Sequence, residues 1–391
     1  MKRLLCVLAL LIPGVAWAGG QAGGRLEEHF RRMDRDGNGR LTAEEVRRPE
    51  IIERADADGD GAVTLEELRE SLAPRMRERG RPDALPPTHA DVSYGPHERN
   101  VLDLYPAESE EPTPLLIYIH GGGFVGGDKR SVSPGLIRAM HANGVSVAAI
   151  HYRFITSDPM PAPFHDGARA VQWLRHNAEP YNLDPEKFAA TGGSAGAGIS
   201  LWLAFHDDLA DPKAKDPVLR QSTRLTCAQV GGAQVSYDPR FWREIGLTRG
   251  LEHRSFPLMY GERGEGPPSP ELIALFEECA PIEHATADDP PVYLVYNVGK
   301  QVTPDTPQGA IIHHPLHGLT LQEKLEPLGV ECTVVYRDGP EPPMSPIEFL
   351  VRNLTGREEI VMPEGRRPGR RPEENDRPRR PRRRDEAPKS E

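Results

Sequence analysis

The sequence predicts an α/β architecture, a doubly wound and mostly parallel sheet, preceded by a small all-α unit. Three observations carry this reading. Strand-length apolar runs alternate with helical patterns across residues 91–356, the signature of β-α-β winding. Two of those runs lead straight into Gly-rich turns, HGGGF at residues 120–124 and GGSAG at residues 192–196. Upstream lie two closely similar acidic dodecapeptides, residues 34–45 and 56–67.

The first segment reads as an address. Lys2 and Arg3 precede an apolar run over residues 4–12, and Ala16-Trp17-Ala18 offers an A-x-A cleavage site. A signal peptide over residues 1–18, cut after Ala18, predicts a secreted or periplasmic protein. The run is too short to span a bilayer, and no later run approaches that length, so no transmembrane span is expected. Cys227, Cys279 and Cys332 stay in the mature chain, an odd count that allows at most one bridge and a spare thiol; Cys227 and Cys332 lie in strand-like runs, where inert buried thiols are expected. The net charge of −11 argues against nucleic acid as the partner.

Residues 25–72 form a predicted calcium module. RLEEHFRRM places Leu26, Phe30 and Met33 on one helix face. DRDGNGRLTAEE then fits the EF-hand pattern D-x-[DN]-x-[DN]-G-x5-E at every position. Its ligands are Asp34, Asp36, Asn38, the Arg40 carbonyl, Thr42 through a water, and Glu45. The second copy, DADGDGAVTLEE, offers Asp56, Asp58, Asp60, the Ala62 carbonyl, Thr64 and Glu67. Crowded carboxylates repel until a hard cation neutralises them, so two Ca2+ sites are expected, coupled to folding. Leu41 and Val63, eighth in each loop, are placed to pair across a small sheet. Pro49 should end the first exit helix, and the close spacing suits permanently loaded structural sites better than a switch.

Residues 73–90, rich in Pro, Arg and Gly, read as a tether. Strands are expected near residues 92–94, 101–104, 115–119, 145–150, 187–191, 225–235, 291–296 and 330–336. Residues 166–177 are helical in period, with Asp166 assigned to capping. Trp242, Phe256, Tyr260 and Phe276 are candidates either for the wall of an acyl pocket or for core. The Pro- and Arg-rich tail, residues 363–391, cannot bury enough apolar surface to fold and offers an anionic surface a salt-sensitive contact.

The two Gly-rich turns carry the chemistry. GGSAG is a G-x-S-x-G elbow, in which a strained strand-to-helix turn presents Ser194. HGGGF can turn backbone N–H groups inward toward an oxyanion. Strand, HGGG, strand, elbow and helix in this order, together with VLDLYPA, GGDK, HYRF and AVQWLRHNAEPYNLDPEKF, resemble the α/β-hydrolase fold. The resemblance is to its hormone-sensitive-lipase-like and feruloyl-esterase-like carboxylesterases, and it covers about residues 88–356. It implies carboxylic ester hydrolysis without a cofactor, Ser194 as nucleophile, and an oxyanion hole from the N–H groups of Gly122, Gly123 and Ala195. It also implies a small ester or an acylated carbohydrate as substrate.

The same resemblance implies an acid after the next-to-last strand and a histidine after the last. Lys300 falls at the first place, and YRDGPEPPMSP at the second holds no histidine. Three readings stay open. In one, the base has moved to the long connection after residue 297, whose HHPLH offers His313, His314 and His317, oriented by Asp305 or by Asp338. The plain alternative is that His313 and His314 cap the helix expected over residues 319–328. In another, the chain is a degenerate hydrolase that binds without turnover. In the last, Glu341 replaces the histidine, although an ordinary carboxylate is a weak base near neutral pH.

Overall fold

The computed structural model describes residues 30, 33–36, 38–42, 44–46, 52–56, 60–65, 67–68, 85–260 and 267–362. The signal segment, residues 73–84 of the tether, the 363–391 tail, Pro49 and the loop residue Asp58 lie outside the described residues.

In the N-terminal part, β1 (Arg40–Thr42) and β2 (Ala62–Thr64) pair antiparallel with Leu41 opposite Val63. Both side chains are fully buried, in a cluster with Phe30, Val46, Ile52, Ala55 and Leu68. The apolar eighth residue of each loop thus anchors its loop to a shared core, the pairing expected from the sequence.

The remaining strands form one eight-stranded sheet: β3 (His89–Ser93), β4 (Val101–Tyr105), β5 (Thr113–Ile119), β6 (Ser146–Ile150), β7 (Leu183–Gly193), β8 (Cys227–Gly231), β9 (Val292–Tyr296) and β10 (Cys332–Tyr336). Its order is β10-β9-β8-β7-β5-β6-β4-β3, with the β3/β4 and β4/β6 pairs antiparallel and the others parallel. Alternation of side chains explains why the central strands are apolar throughout. Leu115, Ile117 and Ile119 of β5 join Phe164, Val171, Leu174 and Ile199 on one face. Leu116, with Val147 and Ala189 of its neighbours, joins Ile137, Met140, Phe349 and Leu350 on the other. Helices Ala162–His176 and Ala195–Phe205 therefore cover one face, and helices Pro134–His141 and Pro346–Thr355 the other. Strand order reverses between β5 and β7, since β5 is followed in sequence by β6 on one side and by β7 on the other. Ligand sites in open α/β sheets form at the carboxyl edge of such a reversal, and both Gly-rich turns emerge there.

Asp166 corrects the capping assignment. Helix Ala162–His176 starts four residues before it, and its side chain is almost fully buried. The carboxylate accepts the Arg153 backbone N–H at 2.7 Å and the Arg153 guanidinium at 2.8 Å and 2.9 Å. Pairing with the HYRF segment, and not helix capping, is what holds this acid. Asp166→Ala should therefore lower unfolding free energy by about 3 kcal/mol, because Arg153 loses its main anion. Urea unfolding at pH 7 checks this; a loss below about 1 kcal/mol would mean that the pair acts as an exposed one.

Candidate active site

Ser194 joins β7 to the helix Ala195–Phe205 with φ 53° and ψ −118°, a conformation serine adopts only under constraint. Its N–H donates to the Gly231 carbonyl of β8 at 2.9 Å, and its carbonyl accepts from the Gly198 N–H at 3.0 Å. The turn is tight because the start of the helix lies against the end of β5. A Cβ on Gly196 would run into the Ile119 carbonyl, so only glycine fits there. The hydroxyl itself is half-buried.

The HGGGF turn is seated against this elbow. A Cβ on Gly121 would lie 2.7 Å from the Gly193 carbonyl oxygen and 3.5 Å from Ser194 Cβ. Gly122 and Gly123 have φ of 125° and 62°, and Phe124 follows at 63°. Among the described residues, the N–H groups of Gly122, Gly123 and Ala195 donate to no protein acceptor. His120 fixes the turn from beneath. Its Nδ1 lies 2.9 Å from the Gly121 carbonyl, and Tyr152 stacks on its ring while donating to its carbonyl at 2.9 Å. Burial holds the His120 imidazole down at about 3, so it is a neutral structural group.

The long loop after β9 delivers the imidazole. Short helix Gln308–Ile312 ends at His313, whose Nε2 lies 2.9 Å from Ser194 Oγ. Its Nδ1 lies 2.8 Å from the Gly309 carbonyl oxygen. A carbonyl only accepts, so Nδ1 carries the hydrogen and the neutral ring turns its Nε2 lone pair to the serine. This is the tautomer a general base needs. Burial lowers the His313 pKa from 6.5, only partly opposed by the Gly309 bond, and so favours the neutral ring.

The other sequence candidates separate from it. His314 is buried, and its Nδ1 accepts the Leu316 N–H at 3.2 Å at the start of helix Leu316–Leu325, so the capping alternative, which named His313 as well and a helix over residues 319–328, holds for His314 alone. His317 is fully buried, its ring edge-on to Trp242 with centroids 4.5 Å apart. Trp242 and Phe256 also lie in this core. Asp305 and Asp338 are exposed, and neither hydrogen-bonds His313 among the described residues. The expectation of a carboxylate orienter is thereby corrected: a main-chain carbonyl one turn back along the helix already fills Nδ1. Glu341 is exposed, on the segment after β10.

Three residues were missed by the sequence reading. Gly309 supplies the orienting carbonyl, which no side-chain motif can announce. Gly232, φ 58°, lies beneath His313, where a Cβ would come within 3.1 Å of the ring. His253, half-buried, places its ring 3.3 Å from where a Cβ on Gly123 would be, beside the oxyanion turn. Its only sequence signal was position in the aromatic stretch after residue 239.

The acidic loops show a repeated geometry. Asp34 accepts from the N–H groups of Asn38 and Gly39 at 3.1 Å and 2.8 Å, and Asp56 from those of Asp60 and Gly61 at 3.1 Å and 2.8 Å. Thr42 and Thr64 donate to Glu45 and Glu67, folding each twelfth-position carboxylate back over its loop. The Thr42 N–H, ahead of other causes, holds Glu45 below the ordinary carboxyl range. Oxygen atoms of Asp34, Asp36 and Glu45 lie within 4.8 Å of one another. An all-oxygen set this convergent fits Ca2+.

Comparison with known proteins agrees with both halves. Residues 102–229 match the BD-FAE family. Residues 26–48 and 50–73 match the EF-hand family. The BD-FAE segment holds the HGGGF turn and the elbow and ends well before His313. A probable carboxylic ester hydrolase of Mycobacterium tuberculosis, LipM, is 28% identical over 55% of this chain and 48% of its own length. A versiconal hemiacetal acetate esterase of Dothistroma septosporum is 32% identical over 33% of this chain and 39% of its own. The chain thus spans about half the length, or less, of these ester-hydrolysing relatives. Among solved structures, an acetyl ester-xyloside bifunctional hydrolase of Caldicellulosiruptor lactoaceticus superposes with TM-score 0.51 at 21% identity, covering 64% of this chain and 86% of the other. The fold is that of the α/β-hydrolases. No described helix is long and apolar enough to cross a membrane.

Gly232→Ala should push the His313 ring off Ser194. Fluorophosphonate labelling of Ser194 should slow by roughly ten-fold, since the ring must yield by a few tenths of an ångström, less than the full ångström that costs about 100-fold. Labelling at the wild-type rate would show that the ring tolerates the methyl group.

Proposed function

We propose that this chain is an exported carboxylic ester hydrolase that works through an acyl-enzyme on Ser194. The observation that carries the reading is the 2.9 Å contact of Ser194 Oγ with His313 Nε2 in the tautomer set by Gly309. His313 takes the Ser194 proton as Oγ attacks the ester carbonyl. The oxyanion forms against the N–H groups of Gly122, Gly123 and Ala195. Imidazolium then gives its proton to the leaving alcohol, and water, deprotonated by the same ring, releases the acid and restores Ser194. The Gly309 carbonyl holds the ring as a carboxylate would but lacks its full charge, so imidazolium is stabilised less than in a complete triad. Small esters with a short acyl group, on a simple alcohol or a carbohydrate, are the proposed substrates. The acetate named in the Dothistroma relative supports the short acyl group. Lys2, Arg3, the apolar run after them and Ala16-Trp17-Ala18 support export. The missing carboxylate favours one competing reading, a hydrolase scaffold that binds ligand without turnover.

A short-chain aryl ester assay separates the two. Ser194→Ala and His313→Ala should each lower kcat by about 10^4-fold or more, while His314→Ala stays within about ten-fold. Wild-type turnover no better than Ser194→Ala would establish the binding reading. Because burial lowers the His313 pKa, the base stays unprotonated into mild acid. The acidic limb of kcat/KM should therefore fall below pH 6.5. A limb above that value would place a different group at the serine.

We propose further that residues 25–72 hold two structural Ca2+ ions, through Asp34, Asp36, Asn38, Arg40, Thr42 and Glu45, and through Asp56, Asp58, Asp60, Ala62, Thr64 and Glu67. The repeated loop geometry supports this, as does the family match over both loops. Calorimetry should count two ions in wild type and one in Glu45→Gln or Glu67→Gln, with esterase activity unchanged. Two ions in either variant would overturn the assignment.

A further inference from the structure

Away from Ser194, the far end of helix Ala195–Phe205 meets the last turn of helix Pro270–Glu278 and the short turn Pro281–His284. His206, Glu278 and His284 converge there, their donor atoms within 4.8 Å of one another. His206 Nδ1 lies 2.8 Å from the Asp207 carbonyl, and His284 Nε2 lies 2.9 Å from the Glu278 carbonyl. Both carbonyls accept, so each ring donates through one nitrogen and keeps a lone pair on the other. Metal-bound imidazoles are held in this manner.

His206 and Glu278 form an ion pair whose spacing also suits a shared cation. His206 Nε2 is 3.5 Å from Glu278 Oε1, well beyond the ~2.7–2.9 Å of a charge-assisted hydrogen bond. Donors around a tetrahedral ion with bonds of ~2.0–2.2 Å stand about 3.3–3.6 Å apart. His165 Nε2, 3.9 Å from the same oxygen, is an exposed neighbour outside the three-residue group. Trp202 backs the cluster, its ring 4.1 Å from that of His206 and its indole N–H donating to the Glu278 carbonyl at 2.8 Å. The main chain beneath the ligands is thus fixed, while the side chains stay partly open to solvent.

We propose that His206, Glu278 and His284 form a three-ligand site for a zinc-class divalent cation, its fourth position open to solvent. Two imidazoles with one carboxylate suit Zn2+ and its transition-metal neighbours, whereas Ca2+ prefers oxygen alone. The ion would tie three segments together behind the helix that begins at the Ser194 elbow. Its role is structural, with no part in acyl transfer.

The test uses the untagged chain with its calcium loops saturated, titrated with Co2+ and then Zn2+. One equivalent of Co2+ should produce the visible absorption of a tetrahedral site, and Zn2+ should abolish it. The band should vanish in His206→Ala and His284→Ala, and Zn2+ should raise Tm in wild type only. Glu278→Gln keeps both bonds to the Glu278 carbonyl and removes only the charged ligand, so it serves even if a histidine variant fails to fold. No band in wild type, or a full band in Glu278→Gln, would overturn the site.

Discussion

Ser194 is held in its turn by main chain, not by its own preference, and the candidate site depends on that constraint. The end of β5 and the start of the helix Ala195–Phe205 approach until Gly196 has no room for a Cβ. The Ser194 N–H is tied to β8, and Gly121 lies against Gly193. Three adjacent strands therefore fix the hydroxyl and the inward-turned N–H groups as one rigid piece. Tight packing of backbone on backbone admits no gradual relaxation, and so preserves a conformation that would otherwise cost free energy.

Much of this was legible because glycine and strand patterns report backbone requirements directly. All eight strands of the large sheet lie where short apolar runs placed them, and Leu41 faces Val63 as the loop repeat required. The Ser194 elbow and the HGGGF turn were readable because both depend on local chain geometry, which spacing encodes. The imidazole was only narrowed to three positions. Choosing among His313, His314 and His317 needs the path of a loop across the sheet edge, and that path is a tertiary fact. Resemblance could not supply it either, because it places the histidine after the last strand, where this chain has none.

Two acids were misread for related reasons. Asp305 looked suitable because orienting groups are usually carboxylates, and nothing in a sequence shows a carbonyl taking that place. Asp166 looked like a cap because the periodic pattern began at it, but the helix enters earlier, through Ala162-Pro163-Phe164. Its partner, Arg153, sits on the segment after β6, a pairing made by the crossover rather than by neighbouring sequence.

The group that aligns the His313 ring belongs to the peptide chain itself. Every residue type brings a carbonyl, so no exchange of side chain at position 309 deletes this acceptor; only a change in the path of the turn can. It does not titrate, and neither acid nor a competing cation can neutralise it. The alignment of the ring therefore has no acid whose loss by a single substitution could undo it.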